Sequence, residues 1–334
     1  MRLGAQSDPI TSEIQIERLK YNKGLISFEN TPINCPLETV ANSEAIIKFS
    51  LAVIPTMEPE IFLKKQMLIH DGRPLAAAVV LYSDLPQALL PKRCAVKVYR
   101  YGTAGEGTRQ TLAFDPITIE GCLYDQIYDS VNKTIEIIQA IPIVESRALK
   151  KVQYPREAIH EIITNAIIHR DYSIPDDVHI RIYDNRIEVE SPGKLPGHVT
   201  TKNILNERYA RNGAIVRLIN KFPDPPNKDV GEGLNTAFES MRNLRLKEPQ
   251  IIERENSVLI NIRHESLARP EEQVVEYLKV NGEINNSTAR RICNIGSENA
   301  MKRVFEKLMR EGLIERIPGR HGKASAYQLV ENHA

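Results

Sequence analysis

Apolar residues along the chain change their spacing twice, and the changes mark three regions. In residues 1–150 a polar opening segment is punctuated by Pro32, Pro36, Pro55 and Pro59. The unbroken apolar run over residues 75–82 predicts a buried strand, with a short helix as the alternative. Alternation over residues 94–101 predicts a second strand, and a helix is expected over about 121–138.

Residues 151–268 change texture. Tyr154-Pro155 starts a helix that runs to about His169, with Pro155 near its first turn. Alternation over 178–182 and 187–190, around a turn at Asp184-Asn185-Arg186, predicts a β-hairpin. A loop rich in Pro, Asn and Asp follows Phe222 and ends at Asp229-Val230-Gly231-Glu232-Gly233, where another helix begins. Residues 258–262 form a last strand. Helices and strands in this order make an α+β domain rather than a run of βαβ crossovers.

Residues 269–334 read as helices over 271–279, 287–293 and 297–311, then a strand pair over 313–317 and 324–330. Three helices and a two-stranded wing predict a winged helix-turn-helix, with Ser287 and Ser297 where N-caps belong.

Composition narrows the function. The 334 residues are 42% hydrophobic, enough for a sizeable core. Lys and Arg number 44 against 43 Asp and Glu, a formal net charge of +1, so any nucleic-acid contact must come from a local patch. Cys35, Cys94, Cys122 and Cys293 are widely separated with no CxxC, which argues against a zinc site or a disulfide framework and fits a reducing cytoplasm. No run of 18 apolar residues predicts a membrane span, and the polar N-terminus lacks the apolar core of a signal peptide.

Two short segments carry candidate chemistry. On the helix ending near His169, Ile159, Ile162, Ile163, Ala166 and Ile167 fall on one face. Glu161, Asn165 and His169, at i, i+4 and i+8, share the opposite one. An amide oxygen there could ligate Mg²⁺ and a carboxylate one turn earlier could activate a water. An ordinary solvated helix face accounts for the same spacing. In the second segment, Gly231 and Gly233 precede a helix whose N-terminus would favour an anion, and a loop needing positive φ explains them equally well. No Lys-Ser/Thr follows and no strand leads directly in, so neither a Walker A loop nor a dinucleotide fingerprint is present.

Taken in order, EIITNAIIHRDY, RIYDNRIEVESPGKLP, YARNGAIVRLI and DVGEGLNTAFESM resemble a family of bacterial and archaeal ATP-binding proteins. These join a Schlafen-type, AlbA-like DNA-binding domain to a divergent ATPase domain of the gyrase, histidine-kinase and MutL (GHKL) superfamily. Many end in a winged helix, and they are often described as transcriptional regulators. RPLAAAVVLYSDLPQALLP is similar to the family's linking segment. The resemblance implies a GHKL-like α/β sandwich at 151–268, preceded by a linking α/β region at 1–150 and followed by a winged helix at 269–334. It implies ATP and Mg²⁺ as cofactors, Glu161 as the residue handling the attacking water, and Asn165 as the Mg²⁺ ligand. Gly231 and Gly233 match the glycine box against the phosphates, and His169, Arg170 and Asp171 match the family's HRD-Tyr signature in the nucleotide site. Ser191-Pro192-Gly193 stands where the wider superfamily has an Asp-x-Gly that reads the adenine amino group, so Ser191 and Gly193 join the candidate set. MRLGAQSDPITSEIQIERL resembles the tail of the AlbA-like domain, whose leading portion is missing here.

In a winged helix the third helix enters the major groove and the wing touches the backbone. Ser297, Asn299, Lys302 and Arg303 are therefore DNA-contact candidates, with Arg290 and Arg291 on the preceding helix and Arg320, His321 and Lys323 on the wing. The expected function is a cytoplasmic ATP-binding regulator of double-stranded DNA, homo-oligomeric or rearranged by nucleotide, with slow ATPase activity left open. The alternatives are an ATPase subunit of a defence or mobile-element system that docks a protein partner through the winged helix, and a relic with a structural pocket.

Overall fold

The computed structural model describes residues 12–330 except 24, 92, 146–147, 152–153, 208, 227–232, 245, 264–269, 294 and 321–324. The chain divides into two compact units, Met1–Glu265 and Ser266–Ala334.

The first unit opens with α1 (Glu13–Asn22), α2 (Glu38–Ala41), α3 (Glu44–Val53) and α4 (Pro59–Lys65). A small antiparallel pair, β1 (Ile69–His70) and β2 (Arg73–Pro74), leads into α5 (Ala76–Tyr82) and α6 (Pro86–Leu89). Then come β3 (Val96–Arg100), β4 (Ile117–Ile119), α7 (Leu123–Gln139) and a second small pair, β5 (Pro142–Glu145) and β6 (Ala148–Lys151). The unit ends with α8 (Arg156–Ile168), β7 (Val178–Ile182), β8 (Arg186–Pro192), α9 (Gly213–Ile219), α10 (Gly233–Asn243), β9 (Gln250–Glu253) and β10 (Ser257–Arg263).

One expectation is corrected here. The apolar run at 75–82 is the helix α5, not a strand, and every residue from Ala76 to Tyr82 is buried. A segment buried on all sides shows no period, and its opening alanines favour helix.

Six strands form one mixed sheet in the order β4-β3-β7-β8-β10-β9. Only the β3–β7 pairing is parallel. Val98, Ile180, Val189 and Ile260 lie in register as one row across four strands. Because successive side chains alternate between faces, Tyr99, Arg181, Glu188 and Asn261 make the neighbouring row on the other face. The sheet draws β3 and β4 from before residue 150 and its other strands from after it, so the expected boundary near 150 falls inside this unit. Alternation identifies a strand but not its partner, and β3 pairs with a strand far along the chain.

Helix α8 packs on α7, α10 and β8. Its Ile159, Ile162, Ile163, Ala166 and Ile167 are all buried. Each fully buried isoleucine contributes about 1.5–3 kcal/mol. The helix therefore sits between its neighbours and the sheet, which leaves only a narrow polar strip.

The second unit contains α11 (Pro270–Asn281), β11 (Ile284–Asn285), α12 (Asn286–Ile292), α13 (Glu298–Arg310), β12 (Ile314–Arg316) and β13 (Ala326–Leu329). Its strands form an antiparallel sheet in the order β11-β13-β12, one strand more than the pair expected. Val274, Leu278, Met301, Phe305 and Leu308 build a separate core, where the rings of Phe305 and Tyr327 stack with centroids 4.1 Å apart. Ser297 caps α13, its hydroxyl accepting from Ala300 N. Asn285, not Ser287, caps α12 by accepting from Thr288 N. Pairing of β11 holds Asn285 extended, so the helix can only begin after it. Among the described residues no helix is long and apolar enough to cross a membrane.

Candidate nucleotide site

A cavity of ≈ 430 Å³ opens beside the polar strip of α8. Glu161, Asn165 and His169 line it from α8, and Ser191 and Gly193 from the end of β8. Val189, Val258 and Ile260 supply it from the sheet, and Leu234 and Asn235 from the start of α10. The strand-to-helix connection adds an apolar wall of Leu195, Pro196, Val199, Ile204 and Leu205, together with Lys194, Glu207 and Tyr209.

The three expected α8 residues therefore come together, and their chemistry is specific. Asn165 Nδ2 donates to Glu161 O at 2.9 Å and to Glu161 Oε1 at 2.5 Å. Both donors face backward along the helix, so the amide oxygen is the atom left to accept or to ligate. Burial pushes the Glu161 carboxyl up, and the bond from Asn165 only partly opposes this. Burial and then the nearby Arg211 charge push His169 down to about 4, so its ring is neutral at pH 7. Its Nδ1 is buried without a hydrogen-bond partner.

The turn after β8 is tightly built. Gly193 has φ 106°, and a Cβ there would stand 2.6 Å from the Cβ of Asp171. Only glycine lets the chain cross Asp171 at this point. Ser191 Oγ donates to Ala166 O at 2.7 Å, tying the strand end to α8.

The other two residues of the HRD string do not line the cavity. Arg170 is buried, donating from Nη2 to the carbonyls of Arg93 and Asp176. Asp171 accepts from Ser173 N at 2.9 Å and from Arg211 Nη1 at 3.2 Å. Successive residues at a helix end point in different directions, so a shared motif does not give them a shared face. Gly231 lies outside the described residues, and Gly233 is the first residue of α10. Asn235, two positions on, donates from Nδ2 to Leu205 O at 3.0 Å and so joins α10 to the opposite wall.

Lys194, Glu207, Tyr209 and Asn235 were not expected from the sequence. The Gly193-Lys194 step was the available signal, because a cation beside a tight glycine turn is suited to an anion.

In the second unit Arg291, Ser297, Asn299, Lys302, Arg303 and Arg320 are exposed. Arg290 is half-buried, donating from Nη1 to Gly296 O at 3.1 Å, which braces the turn between α12 and α13. Lys302 pairs with Glu298 at 2.8 Å and Arg320 with Glu283 at 2.9 Å. His321 and Lys323 lie outside the described residues.

Comparison with known proteins bears on the first unit. A family model described as "Putative ATP-dependent DNA helicase recG C-terminal", of the HATPase_c group, matches residues 176–262. These residues belong to an ATPase-like domain. The match spans β7 through most of β10 and so includes the Ser191–Gly193 turn, but it begins after α8. Glu161 and Asn165 lie before the matched segment, on a helix that packs against β8 and α10. The crystal structure of the DIP2311 protein from Corynebacterium diphtheriae is similar in fold, with a TM-score of 0.56 at 15% sequence identity. That alignment covers 91% of this chain and 70% of the other. No curated protein matches the sequence.

Proposed function

We propose that the chain is an ATP-binding, DNA-associated regulator in which nucleotide in the cavity controls how the second unit engages DNA. The observation that carries this reading is the Glu161–Asn165 couple facing the Ser191–Lys194 turn across one cavity of an ATPase-like domain. Its volume lies within the usual range for small-molecule sites.

The residues present fit Mg²⁺ and a nucleotide. Asn165 Oδ1 is the protein oxygen for the cation. Among the described residues no group of three or more His, Cys, Asp or Glu could hold a metal alone, so phosphate and water complete the shell, as is usual for Mg²⁺. Bound Mg²⁺ would neutralise phosphate charge. Glu161, whose carboxyl burial raises, is placed to take a proton from water. Lys194, Gly231 and Gly233 would meet the phosphates, and the wall from Leu195 to Leu205 would cover the base. Ser191 gives its hydroxyl to Ala166 O, so it does not replace the missing adenine-reading carboxylate. Sensing of nucleotide is therefore favoured over fast turnover.

The second unit reads as a winged helix-turn-helix with α13 as the groove-entering helix and the β12–β13 turn as the wing. In functional terms residues 151–268, completed by β3 and β4, are the GHKL-type nucleotide domain, the helices before β3 form the linking region, and 269–334 is the DNA module of a cytoplasmic regulator. The pairing of Lys302 and Arg320 with glutamates supports the rival protein-docking reading. Exposed pairs contribute only about 0–1 kcal/mol, so a phosphate backbone can displace them.

Calorimetric titration with Mg-ATP tests the first half, and failure to bind overturns it. Fluorescence anisotropy of the chain on random-sequence duplex at several salt concentrations tests the second. No binding at low salt leaves the docking reading.

A further inference from the structure

The HRD and ARNG strings meet in one buried polar cluster behind the cavity. Asn212, 1% exposed, donates from Nδ2 to Ile168 O at 2.8 Å and Arg170 O at 2.9 Å. It thereby closes the C-terminal end of α8. The next side chain back, Arg211, donates from Nη1 to Asp171 Oδ2 at 3.2 Å and from Nη2 to Lys194 O. Its side chain is 7% exposed and that of Asp171 2%. One guanidinium thus spans the chain just after α8, which carries Asn165 and ends at His169, and the turn that carries Ser191 and Lys194. Its own backbone leads directly into α9.

We infer that Arg211, with Asp171 as its counter-charge, is a positioning residue that sets the spacing between the α8 wall and the Gly193–Pro196 wall of the cavity. Three physical points support this. A buried ion pair is a poor source of stability, because desolvation offsets its attraction, so its effect here lies in geometry. The planar guanidinium sends two donors to two different elements, which an ammonium cannot do with the same directionality. Gly193 sits against Asp171 with no room for a side chain, so a change in the pair moves the turn directly. Neither Arg211 nor Asp171 lines the cavity, so the pair acts through Lys194 and Gly193.

The inference rests on the proposed nucleotide site for its binding arm but not for its structural arm. The experiment uses the full chain as parent, Arg211→Lys, and the double variant Asp171→Asn with Arg211→Met. The double variant removes both charges of the pair together, and the amide oxygen introduced at position 171 can still accept from Ser173 N, so it should fold. The expected result is a melting temperature close to the parent's, with hydrogen exchange faster by about tenfold or more at the amides of Gly193, Leu195 and Val199. Arg211→Lys gives the same local change. ATP affinity falls by about tenfold in both. Parent-like exchange at those amides in the folded double variant overturns the inference. Faster exchange across the whole unit together with a lowered melting temperature also overturns it, because the pair would then be merely structural. If the parent binds no nucleotide, the nucleotide-site reading fails, while the exchange data still decide the role of Arg211.

Discussion

Both units carry exposed ion pairs, but among the described residues only the first also buries charged side chains. Glu190 shows this well. Burial alone would raise its carboxyl, but the Ser257 hydroxyl and the Arg181 and Arg254 guanidinium groups outweigh that and hold it down at about 2. Glu29, 5% exposed, receives the N–H groups of Ala214 and Ile215 and so caps α9. In the second unit the ion pairs lie in water. Lys302–Glu298, Lys307–Glu271 and Arg320–Glu283 all have exposed lysine or arginine side chains. Buried pairs fix distances between elements and are costly to break. Exposed pairs cost little to exchange for another anion. The first arrangement suits a site of defined shape, and the second leaves charges that exchange partners at little cost.

The sharpest way to break this comparison is to remove one member of a buried pair. Arg211→Ala or Asp171→Ala alone strands a buried charge and is expected to cost about 3–5 kcal/mol in denaturant unfolding. Lys302→Ala, at an exposed pair, is expected to cost less than about 1 kcal/mol. Similar losses at both positions would erase the distinction.

Next in size is the cavity itself. Asn165→Ala is expected to weaken Mg-ATP binding by about 100-fold, because it removes the only assigned protein oxygen of the cation shell. Glu161→Ala is expected to retain binding and lose any phosphate release. Unchanged affinity in Asn165→Ala, measured by calorimetry, would show the cavity assignment to be wrong.

A smaller effect follows from His169. Its ring is held at about 4 against an ordinary 6.5, so between those values the unfolded chain binds more protons than the folded one. Stability therefore falls as the pH is lowered through this window, by at most about 1.4 kcal/mol per pH unit. His169→Gln is expected to flatten that part of the profile in thermal melts. Parallel pH slopes for parent and variant would show that His169 is not held neutral by the fold.

The smallest expected effect sharpens the other side of the comparison. Arg320→Ala and Lys302→Ala are each expected to lower the slope of log affinity against log salt by about one on random duplex. Arg303→Ala is the change expected to alter sequence preference, if the helix reads bases. Slopes equal to the parent's would place DNA elsewhere or nowhere.

How much of this was legible in the sequence depended on whether the signal was local. The isoleucine spacing of α8 and the alternation of β7 and β8 carry their own period, and both elements formed close to the expected bounds. The polar strip Glu161, Asn165 and His169 was readable for the same reason, and it lines the cavity. Helix α5 was not, because burial on every side removes the period. Strands β4 and β9 are three and four residues long at the sheet edges, too short to show alternation. Arg211 lies in the YARNG string with no local sign of its role, since its partners Asp171 and Lys194 are brought to it only by the fold. The cap of α12 went to Asn285 over Ser287 because strand pairing, not capping preference, fixed where that helix starts.

The parallel pairing of β3 with β7 has a consequence for how the ATPase-like domain comes into being. Arg100 and Ile182 are register partners 82 positions apart, with α7 and α8 between them. During synthesis β3 must wait for all of that chain before it gains its inner neighbour, and such distant closure slows folding. The dependence runs both ways. A fragment beginning at residue 151 would present β7 as a bare strand edge, with Ile180 and Ile182 beside unpaired backbone groups, and such edges recruit other chains. The matched segment 176–262 is thus part of a domain whose outermost protection comes from residues outside it. Any attempt to isolate it should carry β3 and β4 along, or expect a sheet that completes itself with a second copy.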